Sequence, residues 1–123
     1  MVIGFATSCM NRRWQLEQSL PQNLAVLRET DHFLAVVDHG SADGLGKLLE
    51  RFADDIARGT LLCFRTDVPR HFHASIAKNT AHRLALRRQP TVLFNLDADN
   101  FITHETLSLT EETFRDAPDP SAF

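Results

Sequence analysis

The sequence has little of the residue types that mark several protein classes. Its 123 residues include two cysteines, five glycines and five prolines, and 43% of them are apolar. A disulfide-dense scaffold, a collagen-like repeat and a disordered chain are therefore excluded. No apolar run approaches the roughly 20 residues that span a bilayer, and no basic segment precedes the short apolar N-terminus, so we expect neither a membrane segment nor an export signal.

An excess of charge of one sign is also lacking. The chain has 13 Lys and Arg residues and 16 Asp and Glu residues, which give a net charge of -3 and an isoelectric point near 6.0. This balance supplies no general electrostatic attraction to nucleic acid or to an anionic membrane. Any phosphate that the chain binds must therefore be held by local groups.

Soft metal ligands are few and poorly spaced. Cys9 and Cys63 form neither a CxxC pair nor a zinc-type arrangement with histidine, so reduced thiols and a cytoplasmic location are expected. His71 and His73 form an HxH that could bind a transition metal together with one of the carboxylates described below. A polar loop without metal is the favoured interpretation of these two histidines.

What the sequence does contain is a regular alternation of short apolar runs and helical patterns. The apolar runs predict strands at residues 2–7, 33–37, 60–65 and 91–96. Helical patterns lie between them, at residues 12–29 (two short helices, or one broken at Pro21), 45–58 and 75–88. The alternation predicts βαβ units and an α/β fold with a mostly parallel sheet and flanking helices.

Apolar spacing also predicts which side chains form the core. In the helix that Gly59 ends, one stripe consists of Leu45, Leu48, Leu49, Phe52 and Ile56. In the helix at 75–88, the predicted buried side includes Ile76, Thr80 and Leu84, with Ala81 as a further candidate. Trp14 and the nine phenylalanines are expected in core and helix packing.

Polar clusters follow three of the predicted strands, at residues 8–11, 38–43 and 97–100. Ligands of open parallel sheets bind beyond the carboxyl ends of the strands, so these clusters are the candidate site. Asp97 and Asp99 are the most informative pair, because alternate residues of an extended strand point to the same side and two carboxylates can then face one ion. Oxygen ligands suit Mg²⁺ or Mn²⁺, with a diphosphate completing the shell. The alternative is a solvated acidic turn.

Other candidate residues are weaker when taken alone. Asp38 could accept a hydrogen bond from a uracil imide or from ribose hydroxyls, or it could belong to an ordinary turn whose Asp43 caps the next helix. Lys78 could neutralise a phosphate and Asn79 could order the adjoining loop, or both could simply be solvated.

Taken together, four blocks resemble the nucleotide-binding half of a family 2 glycosyltransferase with the GT-A fold: Ser8–Arg12, Val36–Gly44, Ser75–Asn79 and Leu96–Asn100. The resemblance covers about residues 2–105. It implies a Rossmann-like half-domain over residues 1–105, followed by a C-terminal tail at 106–123. It also implies binding of a nucleotide sugar, in the first place a UDP-sugar, through Mn²⁺ or Mg²⁺ for transfer to a hydroxyl acceptor.

The resemblance implies a role for each matched position. The implied nucleotide-binding residues are Ser8, Cys9, Asn11, Arg12, Asp38, Lys78, Asn79 and Asp97, and the implied metal ligands are Asp97 and Asp99. The chain departs from the family's pattern at His39, where a second Asp or Asn is common, and at Ala42, where Thr is frequent. It also lacks the Asn-x-Gly that often precedes the third block, which bears on the donor contacts and leaves the expected fold unchanged.

No catalytic base is assigned. In such enzymes an acceptor-binding half follows the donor half and carries that carboxylate, and Glu105, Glu111 and Glu112 follow Asp99 too closely to match it. The chain is expected to be either a truncated piece of such an enzyme or a stand-alone donor-binding module. A non-catalytic binding or subunit-interaction role stays open. A sheet that stops after its fourth strand would expose an apolar edge and face, which predicts association into a homo-oligomer, domain swapping or poor solubility.

Three other classes fit the residues less well. A haloacid-dehalogenase-like phosphatase would carry its acidic motif after the first strand and would not have Phe101 four residues after Asp97. A receiver domain would have an acidic pair where Ser8 and Cys9 stand. A dinucleotide-binding oxidoreductase would need a GxGxxG turn, which the sequence lacks.

Overall fold

The computed structural model describes residues 1–68 and 70–117. Within them the chain forms four strands and five helices. In chain order these are β1 (Ile3–Cys9), α1 (Arg13–Leu27), β2 (Phe33–His39), α2 (Leu45–Glu50), α3 (Ala53–Arg58), β3 (Leu61–Thr66), α4 (Ala74–Leu86), β4 (Val92–Asn95) and α5 (His104–Asp116). No helix in these two ranges has the length and apolar character needed to cross a bilayer.

The four strands form one parallel sheet in the order β3-β2-β1-β4, which confirms the predicted α/β class. The central strands β1 and β2 are almost wholly buried, as their apolar runs predict. The register places Cys9 beside Asp38, and Asp38 beside Arg65. Cys9 and Cys63 lie on β1 and β3, which β2 separates, and both thiols are free.

The two faces of the sheet are covered differently. On one face, Ile3 and Phe5 pack in a large apolar cluster with α1, α2 and α5. On the other face, Ala6, Ala35 and Val37 pack against α4, the one helix in this smaller cluster of the described residues. Parallel strands require such covering of both faces, because their side chains alternate and both sets are apolar.

The stripe predicted from Leu45 to Ile56 is divided between two helices, so the prediction of one continuous helix is wrong. α2 ends at Glu50, and α3 begins at Ala53 and ends at Gly59, which has a positive φ of 82° as a helix-ending glycine requires. Because of this break, α3 does not continue the apolar stripe of α2. Ile56 is 41% exposed, whereas Asp55 is buried and receives two hydrogen bonds, of 2.8 and 2.7 Å, from Arg28, the residue that follows α1.

The predicted buried side of α4 is also wrong in part. Ala77, Ala81, Leu84 and Ala85 face the sheet, and Ile76 is 43% exposed. The buried side is therefore rotated toward the alanines, whose small side chains let the helix backbone lie close to the strands. Several aromatic side chains that were expected in the core are exposed as well: Trp14, Phe64, Phe72 and Phe101.

α1 runs through Pro21 as one helix. Pro21 is exposed, while Leu20 and Leu24 on either side of it are fully buried. Packing of these leucines against the sheet therefore holds the helix together although the proline removes one backbone hydrogen bond.

α5 continues through the predicted domain boundary at residue 105. Leu107 and Thr110 are buried, and Oε1 of Glu111 accepts a hydrogen bond from Nε2 of the buried His32 at 2.8 Å. Because Nδ1 of the same ring accepts from the backbone N–H of Ile3 at 3.0 Å, the neutral ring carries its proton on Nε2. Residues 106–116 of the predicted tail are thus helical, and 118–123 lie outside the described residues.

Candidate functional site

A cavity of about 460 Å³ opens at the carboxyl ends of β1 and β4. The residues that line it are Ser8, Cys9, Met10, Asn11, Arg12, Gln15, Phe72, Asp97, Ala98 and Asp99. Six of the predicted site residues therefore meet here: Ser8, Cys9, Asn11, Arg12, Asp97 and Asp99. The volume lies in the range of ligand pockets, roughly 300–1,000 Å³.

Asp97 and Asp99 reach this cavity from a turn. β4 ends at Asn95, and the backbone N–H of Asn100 donates to the carbonyl oxygen of Asp97 at 3.0 Å. The argument from strand alternation is therefore wrong for this pair, because neither residue belongs to the strand. The turn nevertheless places both residues in the lining of one cavity.

Buried polar side chains of β1 and α1 hold this turn by its backbone. Thr7 donates to the carbonyl of Leu96 at 2.8 Å, and Ser19 donates to the carbonyl of Ala98 at 2.6 Å. Asn23 donates to the carbonyl of Asn100 at 3.0 Å and accepts from the N–H of Ile102 at 2.7 Å. These bonds satisfy backbone groups that an irregular segment would otherwise leave unpaired.

Sequence reasoning missed these positioning residues, although a signal was present. Ser19 and Asn23 are polar, yet they lie on the same side of α1 as Leu16, Leu20 and Leu24, and all five are buried. Buried polar side chains need partners, so a polar pair on an apolar helix face predicts something for it to bind.

The two carboxylates suit a hard divalent cation. Asp97 and Asp99 are exposed, and neither side chain has a hydrogen bond or an ion pair with any residue in the described ranges. Across 1–68 and 70–117 no group of three or more His, Cys, Asp or Glu side chains could hold a metal, which also leaves the HxH interpretation without support. A cation at this pair would thus take its remaining ligands from water or from a bound phosphate, as Mg²⁺ and Mn²⁺ do.

The loop that follows β1 is fixed by the loop that follows β2. Asn11 has a positive φ of 54°, and its side-chain oxygen accepts from the N–H of Ala42 at 2.8 Å. Its own N–H donates to the hydroxyl of Ser41 at 3.0 Å. Asp43 accepts from the N–H of Arg13 at 2.9 Å, so Asp43 caps α1 and not the helix that begins after Gly44.

Asp38 stands behind this loop and does not line the cavity. It is 2% exposed, its Oδ1 accepts from the N–H of Ser41 at 2.9 Å, and its Oδ2 accepts from Nη1 of Arg65 at 3.0 Å. Arg65 also donates to the carbonyl of Ser41 at 3.1 Å. A ligand that bonds to Asp38 would have to share these oxygens or displace the largely exposed Arg65 side chain.

Lys78 and Asn79 are exposed on α4, and the structure does not bring them to the wall of the cavity. The N-terminus of α4 is capped by His73, whose Nδ1 accepts from the N–H of Ile76 at 3.5 Å. Phe72, just before this cap, does line the cavity and packs edge-on against His39, with ring centroids 5.8 Å apart.

The cysteine at the cavity is a neutral thiol. Burial is the main cause that raises the pKa of Cys9 to about 11, and burial likewise raises the pKa of Cys63 to about 12. At neutral pH and without a metal both groups are therefore neutral thiols, and neither is an activated nucleophile.

A parallel α/β sheet with a polar cavity at the carboxyl ends of its strands defines the class of the fold, and comparison with solved structures specifies it as GT-A-like. The chain matches S. aureus TarS 1-349 in complex with UDP-GlcNAc with a TM-score of 0.68 and 16% identity, over 94% of this chain and 32% of that one. It matches the mannosyltransferase PcManGT from Pyrobaculum calidifontis, in complex with GDP-Man and Mn²⁺, with a TM-score of 0.70 and 20% identity, over 95% and 32% of the two chains.

These neighbours are glycosyltransferases, and at this level of identity they show the fold. The chain spans about a third of their length. No protein-family model matches the sequence, and no curated protein matches it.

Proposed function

We propose that this chain is the nucleotide-sugar-binding part of a family 2-like glycosyltransferase. It holds a UDP-sugar through Mn²⁺ or Mg²⁺ for transfer of the sugar to a hydroxyl acceptor. One observation carries the proposal: Asp97 and Asp99, without partners among the described residues, face a cavity of about 460 Å³ in a GT-A-like fold. Solved structures of that fold include complexes with UDP-GlcNAc and with GDP-Man and Mn²⁺.

Different residues of the cavity are assigned to the metal and to the nucleoside. Asp99 is the metal ligand, and Asp97 lies on the ribose side and shares the metal. When bound, the cation neutralises the negative charge that grows on the departing diphosphate. Ser8 and Cys9 at the end of β1, and Asn11 in the loop after it, surround the nucleoside, and the exposed guanidinium of Arg12 adds positive charge at the cavity wall.

The base is assigned to Asp38, with Arg65 as a competitor for its Oδ2. Lys78 and Asn79 are assigned to the phosphate and ribose side. Since they do not line the cavity of the free chain, this assignment requires the segment before α4 to adjust when the nucleotide binds. Glu105, Glu111 and Glu112 receive no role as the base that deprotonates the acceptor.

A second candidate is a non-catalytic nucleotide-sugar-binding or subunit-interaction module, because no acceptor base is assigned. The outer edge of β4 supports association of copies. In the described ranges β4 pairs with β1 alone, and Leu93 and Leu109 are exposed beside that edge. Light scattering that finds a monomer at working concentration would contradict this association.

Calorimetric titration with UDP, UDP-sugars and GDP, with and without Mn²⁺, tests the main proposal. We expect metal-dependent affinity for UDP and its sugars, and a loss of more than about tenfold in Asp97→Asn and in Asp99→Asn, since even changes behind a metal's direct ligands cost 10–100-fold. Asp31→Asn is the matched control, because Asp31 is exposed and its side chain forms no hydrogen bond or ion pair within the described residues.

Affinity that is equal with and without metal, or that survives both substitutions, would reject the assignment of the site. The same mixtures separate the two candidates. Release of UDP from a UDP-sugar that stops in Asp99→Asn would show turnover, whereas tight binding without release would favour the non-catalytic module.

A further inference from the structure

Positive charge is concentrated in one stretch of the chain, in and around α4. Five of the 13 Lys and Arg residues lie between residues 70 and 88, and none of the 16 Asp and Glu residues lies between 68 and 96. α4 occupies the middle of this stretch and is the helix that covers the second face of the sheet. The net charge of -3 therefore conceals a cationic segment, in which Lys78 and Arg83 belong to α4 and Arg87 and Arg88 follow it directly.

The strands beneath α4 do not neutralise this charge. Ile3, Leu34 and Leu61 mark the face of the sheet that lies away from α4. The side chains at the alternate positions of the strands lie on the α4 side, and none of them is Asp or Glu. Arg88 is engaged locally, because it stacks on Phe33 with 4.6 Å to the ring centroid and donates to the carbonyl of Gly59. Arg83 and Arg87 form no ion pair with any described residue.

Arg83 and Arg87 line a small cavity between α4 and β3. Its volume is about 160 Å³, and its other walls are Phe64, Thr80 and Leu84. The hydroxyl of Thr80 already donates to the carbonyl of Ile76 at 2.8 Å, so the guanidinium groups are the donors that this cavity offers. Two arginines one helical turn apart suit a single phosphate group.

Exposed apolar side chains stand beside these arginines. Leu86 is 51% exposed, Phe64 is 44% exposed and Ile76 is 43% exposed. A surface that presents cationic heads and aliphatic groups together has the composition of helices that lie in the interface of an anionic bilayer. We name Phe64, Ile76, Arg83, Leu86 and Arg87 the α4 surface.

We propose that the α4 surface docks on an anionic phospholipid surface. The phosphate of one headgroup lies between Arg83 and Arg87, and Leu86 and Ile76 contact the acyl boundary. A single-stranded nucleic acid is a poorer occupant, because it would stack successive bases on several aromatic side chains and the α4 surface offers one, Phe64. The proposal does not depend on the nucleotide site, since neither arginine lines that cavity.

Sedimentation with lipid vesicles tests this proposal in the absence of nucleotide. We expect binding to vesicles of phosphatidylcholine mixed with phosphatidylglycerol, little binding to phosphatidylcholine alone, and weaker binding as salt is added. The double variant Arg83→Ala/Arg87→Ala should lower the partition coefficient about 30-fold, from the contribution of a basic residue near such a surface. Arg51→Ala/Arg58→Ala is the matched control, because it removes the same charge from exposed positions beside α2 and α3.

Leu86→Ser supplies a second measurement, which should weaken binding several-fold at every salt concentration because it removes an apolar contact and no charge. Circular dichroism establishes that each variant is folded. Equal binding to both vesicle types, or equal losses in the two double-arginine variants, would overturn the proposal. Release by inorganic phosphate at concentrations too low to screen charge would indicate a free-phosphate site and overturn it. Binding of an RNA oligonucleotide through Arg83 and Arg87 without vesicle binding would overturn it too.

Discussion

Ser19 of α1 donates a 2.6 Å hydrogen bond to the carbonyl oxygen of Ala98, the residue between Asp97 and Asp99. Both Ser19 and Ala98 are buried, while the two carboxylates around Ala98 are exposed at the cavity. A side chain of the first helix therefore sets the position of a turn that is 79 residues away in sequence. The relationship makes the inner side of α1 part of the candidate site.

Ser19→Ala should weaken both the site and the fold. The substitution leaves the buried Ala98 carbonyl without its partner, and we expect a cost of about 1–3 kcal/mol in the free energy of unfolding. If Asp97 and Asp99 bind the metal, the Mn²⁺-dependent affinity for UDP should fall about 10-fold or more, as with other residues that orient metal ligands. Denaturant unfolding and calorimetry measure the two effects.

Ser108→Ala is the control for this experiment, because Ser108 is exposed on α5 and has no side-chain hydrogen bond within the described residues. Its stability should change by less than about 0.5 kcal/mol. A Ser19→Ala variant that loses stability but keeps its metal-dependent affinity would show that the turn does not need this anchor.

The sequence predicted the strands correctly where every residue of a segment has the same buried environment. β1 and β2 are buried on both faces, so their apolar runs predicted them without ambiguity. The rotation of α4 was not predictable in the same way. Ile76, Thr80 and Leu84 form one apolar stripe, and Ala77, Ala81 and Leu84 form another, and periodicity alone does not choose between them. The choice depends on how closely the helix approaches the sheet.

In the candidate site, too, some features were predictable from the sequence and others were not. Asp97 and Asp99 were predicted because short acidic motifs after a strand are visible in the sequence, and the structure brings both to one cavity. The contacts that fix their turn join β1, α1 and residues 96–102, and no local pattern contains them. The ion pair between the buried Asp38 and the exposed Arg65 was missed for a similar reason, because the two residues meet only when β2 and β3 are paired.

Asn11 combines two roles that substitutions can separate. Its positive φ of 54° favours glycine, and its side chain accepts from the N–H of Ala42. Asn11→Gly should lose the hydrogen bond alone, whereas Asn11→Ala should also strain the backbone, so we expect the alanine variant to be less stable by about 1 kcal/mol. Denaturant unfolding of both variants measures the difference.

Gln89 is the comparison site, since it also has a positive φ, of 52°, and its side chain makes no hydrogen bond with any described residue. Gln89→Gly should stabilise the chain slightly, and Gln89→Ala should not. If Asn11→Gly and Asn11→Ala were equally stable while the two Gln89 variants differed, backbone strain at Asn11 would be excluded.

Gly4 is required by the close approach of its neighbours. A Cβ atom at this position would lie 2.7 Å from Cζ of Phe33 and 3.1 Å from Cβ of Pro90. Phe33 is fully buried, so it has little freedom to move away. Gly4→Ala should therefore lower the free energy of unfolding by about 1–3 kcal/mol.

Gly46→Ala is the opposite case, because a Cβ atom at this position in α2 would have nothing within 4 Å. It should raise the free energy of unfolding by about 0.5–1 kcal/mol. Equal thermal midpoints for the two variants would contradict the packing argument.

Asp55 should contribute to stability in a pH-dependent way. The hydrogen bonds from the Arg28 guanidinium hold the pKa of the Asp55 carboxyl below its usual value. A carboxyl whose pKa is lowered by folding stabilises the fold at pH values above its unfolded pKa of about 3.9, and that contribution disappears as the pH falls through the folded pKa. The side chain of Arg28 is 40% exposed, so we expect Asp55→Asn to cost about 1–2 kcal/mol at neutral pH, after allowance for solvent screening.

Urea unfolding across an acid titration measures this dependence, and Asp54→Asn is the matched control because Asp54 is the exposed neighbour on α3. The difference between the natural chain and Asp55→Asn should be full at neutral pH and should shrink toward zero at the acid end, where Asp55 is protonated in both the folded and the unfolded chain. Asp54→Asn should follow the natural chain throughout. A difference for Asp55→Asn that persists unchanged in acid would mean that this substitution acts through packing, because a charge interaction with Arg28 cannot survive protonation of the carboxyl.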